Sequence, residues 1–228
     1  MPVKSKPYQP VALPDHHHVA PEQSQAHAQA FFATMKTRHS IRQFASTDVA
    51  EEVIETVIAT AGRAPSGANQ QPWHFVAIKN HEMKSRIRAA AEKEEQAFYA
   101  GGGGDEWLAA LEPIGTGPNK PHLTDAPWLI VVFAQRYGLD DDGERYKHYY
   151  VPESVGIATG MLVTALHQCG LSCLIHTPNP MSFLNEMCQR PMNEKPVMII
   201  PVGYPADDAT VPNAALHKKP LSKIMSVF

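Results

Sequence analysis

The sequence predicts an α+β fold in which helices flank a central sheet, and three observations point to it. Helical and strand-like segments alternate along most of the chain. The most apolar run is of strand length, and 228 residues at 43% hydrophobic content suffice to enclose one large core. Residues 1–25 are rich in Pro, His and Gln without apolar period and suit an extended arm, which leaves 26–228 as the folded domain.

Taken in order, Ala26–Lys36 is helical in pattern, and Asp48-Val-Ala-Glu51 has the form of an N-cap with a reciprocal glutamate three residues on. The helix that follows would turn Val49, Val53, Val57, Ile58 and Ala61 to one face and end at Gly62. Trp73–Ile78 has strand composition, and Glu82–Tyr99 is a charged helix that stops at the glycine run 101–104. A poorly patterned stretch reaches Asp125, after which Ala126–Ala134 is expected to be a buried strand. Glu153–Cys169 is expected to be an apolar helix whose small residues Gly156, Ala158 and Gly160 permit close packing. A strand at Leu171–Ile175, a helix near Met181–Cys188, a strand at Val197–Val202 and a polar tail complete the pattern, without internal repeats.

A net charge of -3 offers no excess positive charge for a nucleic-acid backbone or an anionic membrane surface, and no apolar run reaches the roughly 20 residues that span a bilayer. The N-terminus carries the pair Lys4 and Lys6 but no apolar h-region, so a cytoplasmic protein without signal peptide or membrane anchor is expected. Three cysteines, Cys169, Cys173 and Cys188, are too few for a disulfide framework and suit core thiols. His16, His17 and His18 lack accompanying ligands at metal spacing and suit a solvated tract, so no metal is expected.

Four clusters are polar or glycine-rich beside apolar elements: Arg38-His-Ser-Ile-Arg42, Ala64–Trp73 (APSGANQQPW), His176-Thr-Pro178 and Pro201-Val-Gly-Tyr-Pro205. Arg38 and Arg42 are compatible with solvated surface charge or with a phosphate clamp, since guanidinium forks match phosphate oxygens. The second cluster offers backbone amides free of bulky side chains, which suits a turn or the close approach of a planar ring.

The order R-x-S-x-R, A-P-S-G-x-x-x-x-P-W and V-G-Y-P resembles the FMN-binding framework of the nitroreductase family, from about Met35 to Phe228. The chain is most similar to the iodotyrosine deiodinase branch, in its soluble, bacterial-type form, because Glu95, Tyr99 and Lys120 match that branch's substrate triad. The resemblance implies an intertwined homodimer with FMN at the interface, residues from about 92 to 124 forming an active-site lid, and a tail after Pro205 that wraps the partner. It assigns Arg38, His39, Ser40, Arg42, Ser66, Gly67, Thr177 and Lys218 to FMN, and Ala68, Glu95, Tyr99 and Lys120 to the substrate. Ala68 would donate its backbone amide to a phenolate oxygen. Thr177 would hydrogen-bond flavin N5, a contact that favours stepwise electron transfer over hydride transfer.

The triad suits a zwitterion. Glu95 can hold an ammonium, Lys120 and the Tyr99 hydroxyl can hold a carboxylate, and the spacing of four puts Glu95 and Tyr99 on one helical face. A charged helix face explains Glu95 equally well when it is taken alone. The implied activity is reductive dehalogenation of halotyrosines, iodotyrosine giving tyrosine and iodide, with NAD(P)H as direct or indirect electron donor. The rivals are a general NAD(P)H-dependent nitroreductase or quinone reductase, and a catalytically silent flavin or amino acid binding protein. The chain departs from the branch at His39 and Lys218, where arginine is usual, and in a lid segment interrupted by Gly101–Gly104 and the stretch 115–121 (GTGPNKP).

Overall fold

Strict alternation along one strand organises the chain, for which a computed structural model describes residues 7–14 and 16–228. Lys4 and Lys6 lie outside the described residues. Strand β2, Trp128–Gln135, pairs antiparallel with β1, Trp73–Ile78, on one side and with β6, Glu194–Gly203, on the other. A short β5, Ser172–Cys173, closes the order β1-β2-β6-β5, and every neighbouring pair is antiparallel. A separate hairpin is formed by β3, Tyr137–Leu139, and β4, Arg145–Lys147.

Successive strand residues face opposite sides of a sheet, so β2 feeds two cores. Trp128, Ile130 and Val132 pack with α2, Glu51–Ala61, and α6, Val151–Gln168, through Ile54, Val57, Ala61, Leu162 and Leu166. Leu129, Val131 and Phe133 pack with α3, His81–Ala97, and α7, Phe183–Met187, through Ile87, Ala91 and Leu184. The remaining helices are α1, Ser24–Lys36, α4, Asp105–Leu111, α5, His122–Asp125, and α8, Asn213–Leu216. The predicted sheet flanked by helices is therefore present, with helices on both faces, and each fully buried Leu or Ile side chain contributes about 1.5–3 kcal/mol.

Several local expectations need correction. Asp48 does not cap α2, whose N-cap is Ala50 with no side-chain bond. Asp48 instead accepts from its neighbour's Val49 N–H at 2.9 Å and from Lys79 Nζ at 2.8 Å, so the salt bridge takes its carboxylate away from the helix end. Ile54 joins the buried face of α2. Cys173 and Cys188 are buried, and burial raises both thiols to about 11, whereas Cys169 is exposed just beyond the last turn of α6. Gly156 and Gly160 do not pack against a neighbouring helix, since a Cβ on either meets nothing within 4 Å. The unpatterned stretch before Asp125 holds α4, which begins after Gly104 with Asp105 and Glu106 in its first turn, where acidic side chains complement the helix dipole. The described part of the arm is exposed at 7–14 and 16–18, and the chain has already turned helical by Pro21–Gln23.

Lys84 ties α3 to the start of β2. Its ammonium is buried and donates to the carbonyl oxygens of Ala126 at 2.6 Å, Pro127 at 3.2 Å and Thr124 at 3.3 Å. Replacing Lys84 by Met keeps the apolar stem but leaves buried carbonyls without a donor, so urea denaturation should show a loss of about 1–3 kcal/mol in unfolding free energy.

Candidate active site

Three of the four polar clusters converge through the antiparallel pairing around β6. Beyond β5, His176 exchanges both backbone hydrogen bonds with Ile199 of β6, at 2.9 and 2.8 Å, which fixes the directions of His176 and Thr177. On the outer side of β5, Ser40 forms a parallel bridge with Cys173, and Ile41 N–H donates to Cys173 O at 3.2 Å. The segment is extended there, so Arg38, Ser40 and Arg42 share one side while Ile41 turns into the core.

Helix α3 passes at Phe98 into a wide π turn, Phe98–Gly102, and that turn presents Tyr99 beside Glu95. The glycine run makes the turn possible. Gly101 sits at φ 120°, and a Cβ on Gly103 would lie 2.5 Å from the Phe98 ring, which itself packs edge-on against Trp107 with ring centres 4.9 Å apart.

A cavity of about 260 Å³ is lined by Arg42, Glu95, Tyr99, Lys120, His176 and Thr177, with Trp107, Leu111 and Ile114 supplying an apolar wall. Lys120 is only 4% exposed; its Nζ lies 3.0 Å from Glu95 Oε2, 3.2 Å from Thr116 Oγ1 and 5.6 Å from the centre of the Tyr99 ring. Its backbone is pinned from α3, because Glu92 Oε1 accepts from Lys120 N–H at 2.7 Å and from Arg88 Nε at 2.8 Å. Burial alone would raise the Glu92 pKa, but those two bonds outweigh it and hold the carboxyl below its usual range.

A second cavity, of about 390 Å³, is lined by Arg38, Ser40, Gly156, Thr159, Gly160 and Met198, and shares Leu174 and Ile175 with the first. His39 lines neither cavity, because it alternates to the other side of its extended segment. Ser66, Gly67 and Ala68 also line neither. Their loop rests on the start of α6, where Gly67 N–H donates to Ser154 Oγ at 3.3 Å, and Ala68 adopts φ 50°. Lys218 is exposed in the tail.

Two histidines without a predicted role stand beside the triad. His122 and His176 are buried edge-to-face with ring centres 5.7 Å apart, and neither Nε2 has a hydrogen-bond partner among the described residues. Burial lowers His122 to about 4 and His176 to about 3, with Lys120 and Arg42 adding to the effect. Both rings are therefore neutral at pH 7, and the 3.8 Å separation of His176 Nε2 from Glu95 Oε1 is not an ion pair. His176 lies in a cluster visible in the sequence, but nothing in the local sequence marks His122 or Glu92 as neighbours of Lys120. The carboxylates of Glu94 and Glu95, the Lys120 ammonium, the Arg42 guanidinium, one phenol and two neutral imidazoles around a small cavity can receive a ligand that carries both a cation and an anion.

Fold and motif order together define the class: residues 35–204 match the Nitroreductase family, and the chain belongs to it. Among its relatives are iodotyrosine deiodinases, 47% identical in Haliscomenobacter hydrossis over 91% of this chain and 93% of the relative, and 44% identical in Hydra vulgaris over 87% and 72%. Iodotyrosine deiodinase 1 of Homo sapiens is 40% identical over 92% of this chain and 72% of its own. A crystal structure of oxidized iodotyrosine deiodinase bound to FMN and 3-iodo-L-tyrosine superposes with a TM-score of 0.68 and 31% identity, covering 78% of this chain and 90% of that one. A BluB-like flavoprotein from Clostridium difficile 630, at 21% identity and TM-score 0.65 over 86% and 98% of the two chains, shares the fold. No helix among the described residues is long and apolar enough to cross a membrane.

Because the unfolded chain protonates its histidines near 6.5 while the folded one resists until about 4 and about 3, the unfolded state binds more protons between those values. Stability should be full above about pH 6.5 and fall as pH drops through that window. Denaturation midpoints measured from pH 7 to 4 should decline less steeply in a His122→Phe, His176→Phe double variant than in the parent.

Proposed function

We propose that this chain is an FMN-dependent reductive dehalogenase of halotyrosines, converting iodotyrosine to tyrosine and iodide. The observation that carries the proposal is the convergence of Glu95, Tyr99 and Lys120 on the cavity that Thr177 also lines. A promiscuous reductase has no need of a carboxylate and a buried ammonium 3.0 Å apart beside its acceptor site. An amino acid zwitterion fits that pair by exchange, its ammonium replacing Lys120 at Glu95 and its carboxylate accepting from Lys120 Nζ and the Tyr99 hydroxyl. The segment from Phe98 to Pro121 would act as the lid, with Trp107, Leu111 and Ile114 excluding water from the halophenol.

The second cavity fits a flavin mononucleotide. Open space over Gly156 and Gly160 admits a flat ring where any larger side chain would intrude, and Arg38 and Ser40 on the same wall can hold a phosphate, with Lys218 as a further cation. When bound, FMN supplies the two electrons that, with one proton, replace the carbon–iodine bond by carbon–hydrogen. The protein's part is placement: Leu174 and Ile175 are shared by the two cavities, Thr177 lines the first of them two residues further on, and its hydroxyl would donate to N5, a contact that favours single-electron steps. Ser66, Gly67 and Ala68, which line neither cavity of their own chain, would reach flavin and phenolate in a homodimer whose sites are shared between copies. The exposed apolar residues Phe31 and Ile157 and the tail residues Ile224, Met225 and Phe228 support that assembly. NAD(P)H, directly or through a reductase, is the proposed electron donor, and the cytoplasm the proposed compartment.

Anaerobically reduced protein mixed with 3-iodotyrosine should reoxidise and release iodide; reoxidation by nitroaromatics alone would favour a general reductase, and reaction with neither a binding protein. Glu95→Gln should reduce kcat/KM for iodotyrosine by on the order of a hundredfold, about 2.7 kcal/mol, while changing nitroaromatic reduction little. Gly156→Leu should fill the flavin cavity, so the purified variant should lose most of its visible flavin absorbance while its far-ultraviolet circular dichroism stays that of the parent.

A further inference from the structure

We infer that His176 is a further substrate-specificity residue, its Nε2 accepting a hydrogen bond from the ligand's ammonium alongside Glu95 Oε1. The inference rests on the halotyrosine clamp proposed above and goes beyond its three residues. His176 Nε2 is buried without a hydrogen-bond partner among the described residues, although unpaired buried polar atoms are costly and uncommon, and the residue lines a ligand-sized cavity.

A carboxylate within 4 Å identifies what it would hold. Glu95 uses Oε2 for Lys120 at 3.0 Å, and Oε1 lies 3.8 Å from His176 Nε2, too far for the two to bond to each other. An ammonium donating two diverging hydrogen bonds holds its acceptors roughly 4 Å or a little more apart, so a small opening of this pair accommodates one. A ligand carboxylate at the same place would face the charge of Glu95, whereas at Lys120 and Tyr99 it meets donors only. The ring can serve as acceptor because burial among Lys120, His122 and Arg42 keeps it neutral, which leaves one nitrogen with a free lone pair. The backbone pairing with Ile199 holds the chain at His176 and the ring of His122 packs edge-on against its ring; the tautomer with the proton on Nδ1 makes Nε2 the acceptor.

Titration calorimetry of the flavin-loaded protein tests this with three ligands: 3-iodotyrosine, 3-iodotyramine, which lacks the carboxylate, and 3-(3-iodo-4-hydroxyphenyl)propanoate, which lacks the ammonium. His176→Phe keeps the aromatic packing and removes the acceptor. It should weaken iodotyrosine and iodotyramine by on the order of tenfold and leave the propanoate within about twofold. His176→Gln, which restores an acceptor, should recover most of the loss. An equal loss for all three ligands, or a loss confined to the propanoate, overturns the inference while leaving the clamp in place. Failure of the parent protein to bind iodotyrosine removes the clamp and this inference together.

Discussion

The pairing of β2 with β6 is the constraint on which the rest depends. A strand buried from Trp128 to Ala134 exposes no backbone group to water, so both of its edges must be paired and both of its faces covered. Pairing at the edges recruits β1 and β6, and covering the faces recruits α2 and α6 on one side and α3 and α7 on the other. The candidate site forms where these elements end. Lys120 precedes α5, which leads into β2; His176 is bonded to β6; and Glu95 lies in the last turn of α3, which the other face of β2 holds in place, with Tyr99 in the π turn that follows.

The interior charges divide into two kinds. Glu194 is buried with two bonds from Arg190, at 2.7 and 2.8 Å, and one from Gln135 at 3.1 Å, and Lys84 is surrounded by carbonyls. These sets are closed, with little capacity left for a ligand. Around the 260 Å³ cavity the sets are open: Glu95 and Lys120 satisfy one another at its wall, and two imidazole nitrogens have no partner among the described residues. Desolvated polar groups with unused bonding capacity are what a binding site requires, since each gains more from a ligand than it would in water.

Much of this was legible from residue order. The apolar run at Ala126–Ala134 and the glycine run after Tyr99 reflect local chemistry, burial and backbone freedom, whereas the helix expected to reach Tyr99 ends at Ala97 and a π turn carries Tyr99. Where local rules failed, a distant group had intervened. Asp48 carries the composition of a cap, but Lys79, 31 residues away, claims its carboxylate. Gly156 and Gly160 have the composition of a helix contact yet border a cavity. Cys169 follows an apolar helix but sits where that helix meets solvent.

The sequence by itself determined most element types and the family framework, because these follow from short-range periodicity and from motifs contiguous in the chain. Only the tertiary structure decided that Glu92 anchors the backbone of Lys120, that His122 and His176 stand unsatisfied beside the triad, and that the Ser66–Ala68 loop lies apart from both cavities of its own chain. Those facts depend on contacts between residues 28 to more than 80 positions apart, which are fixed by how the helices close over the two faces of β2 and not by any local preference of the residues involved.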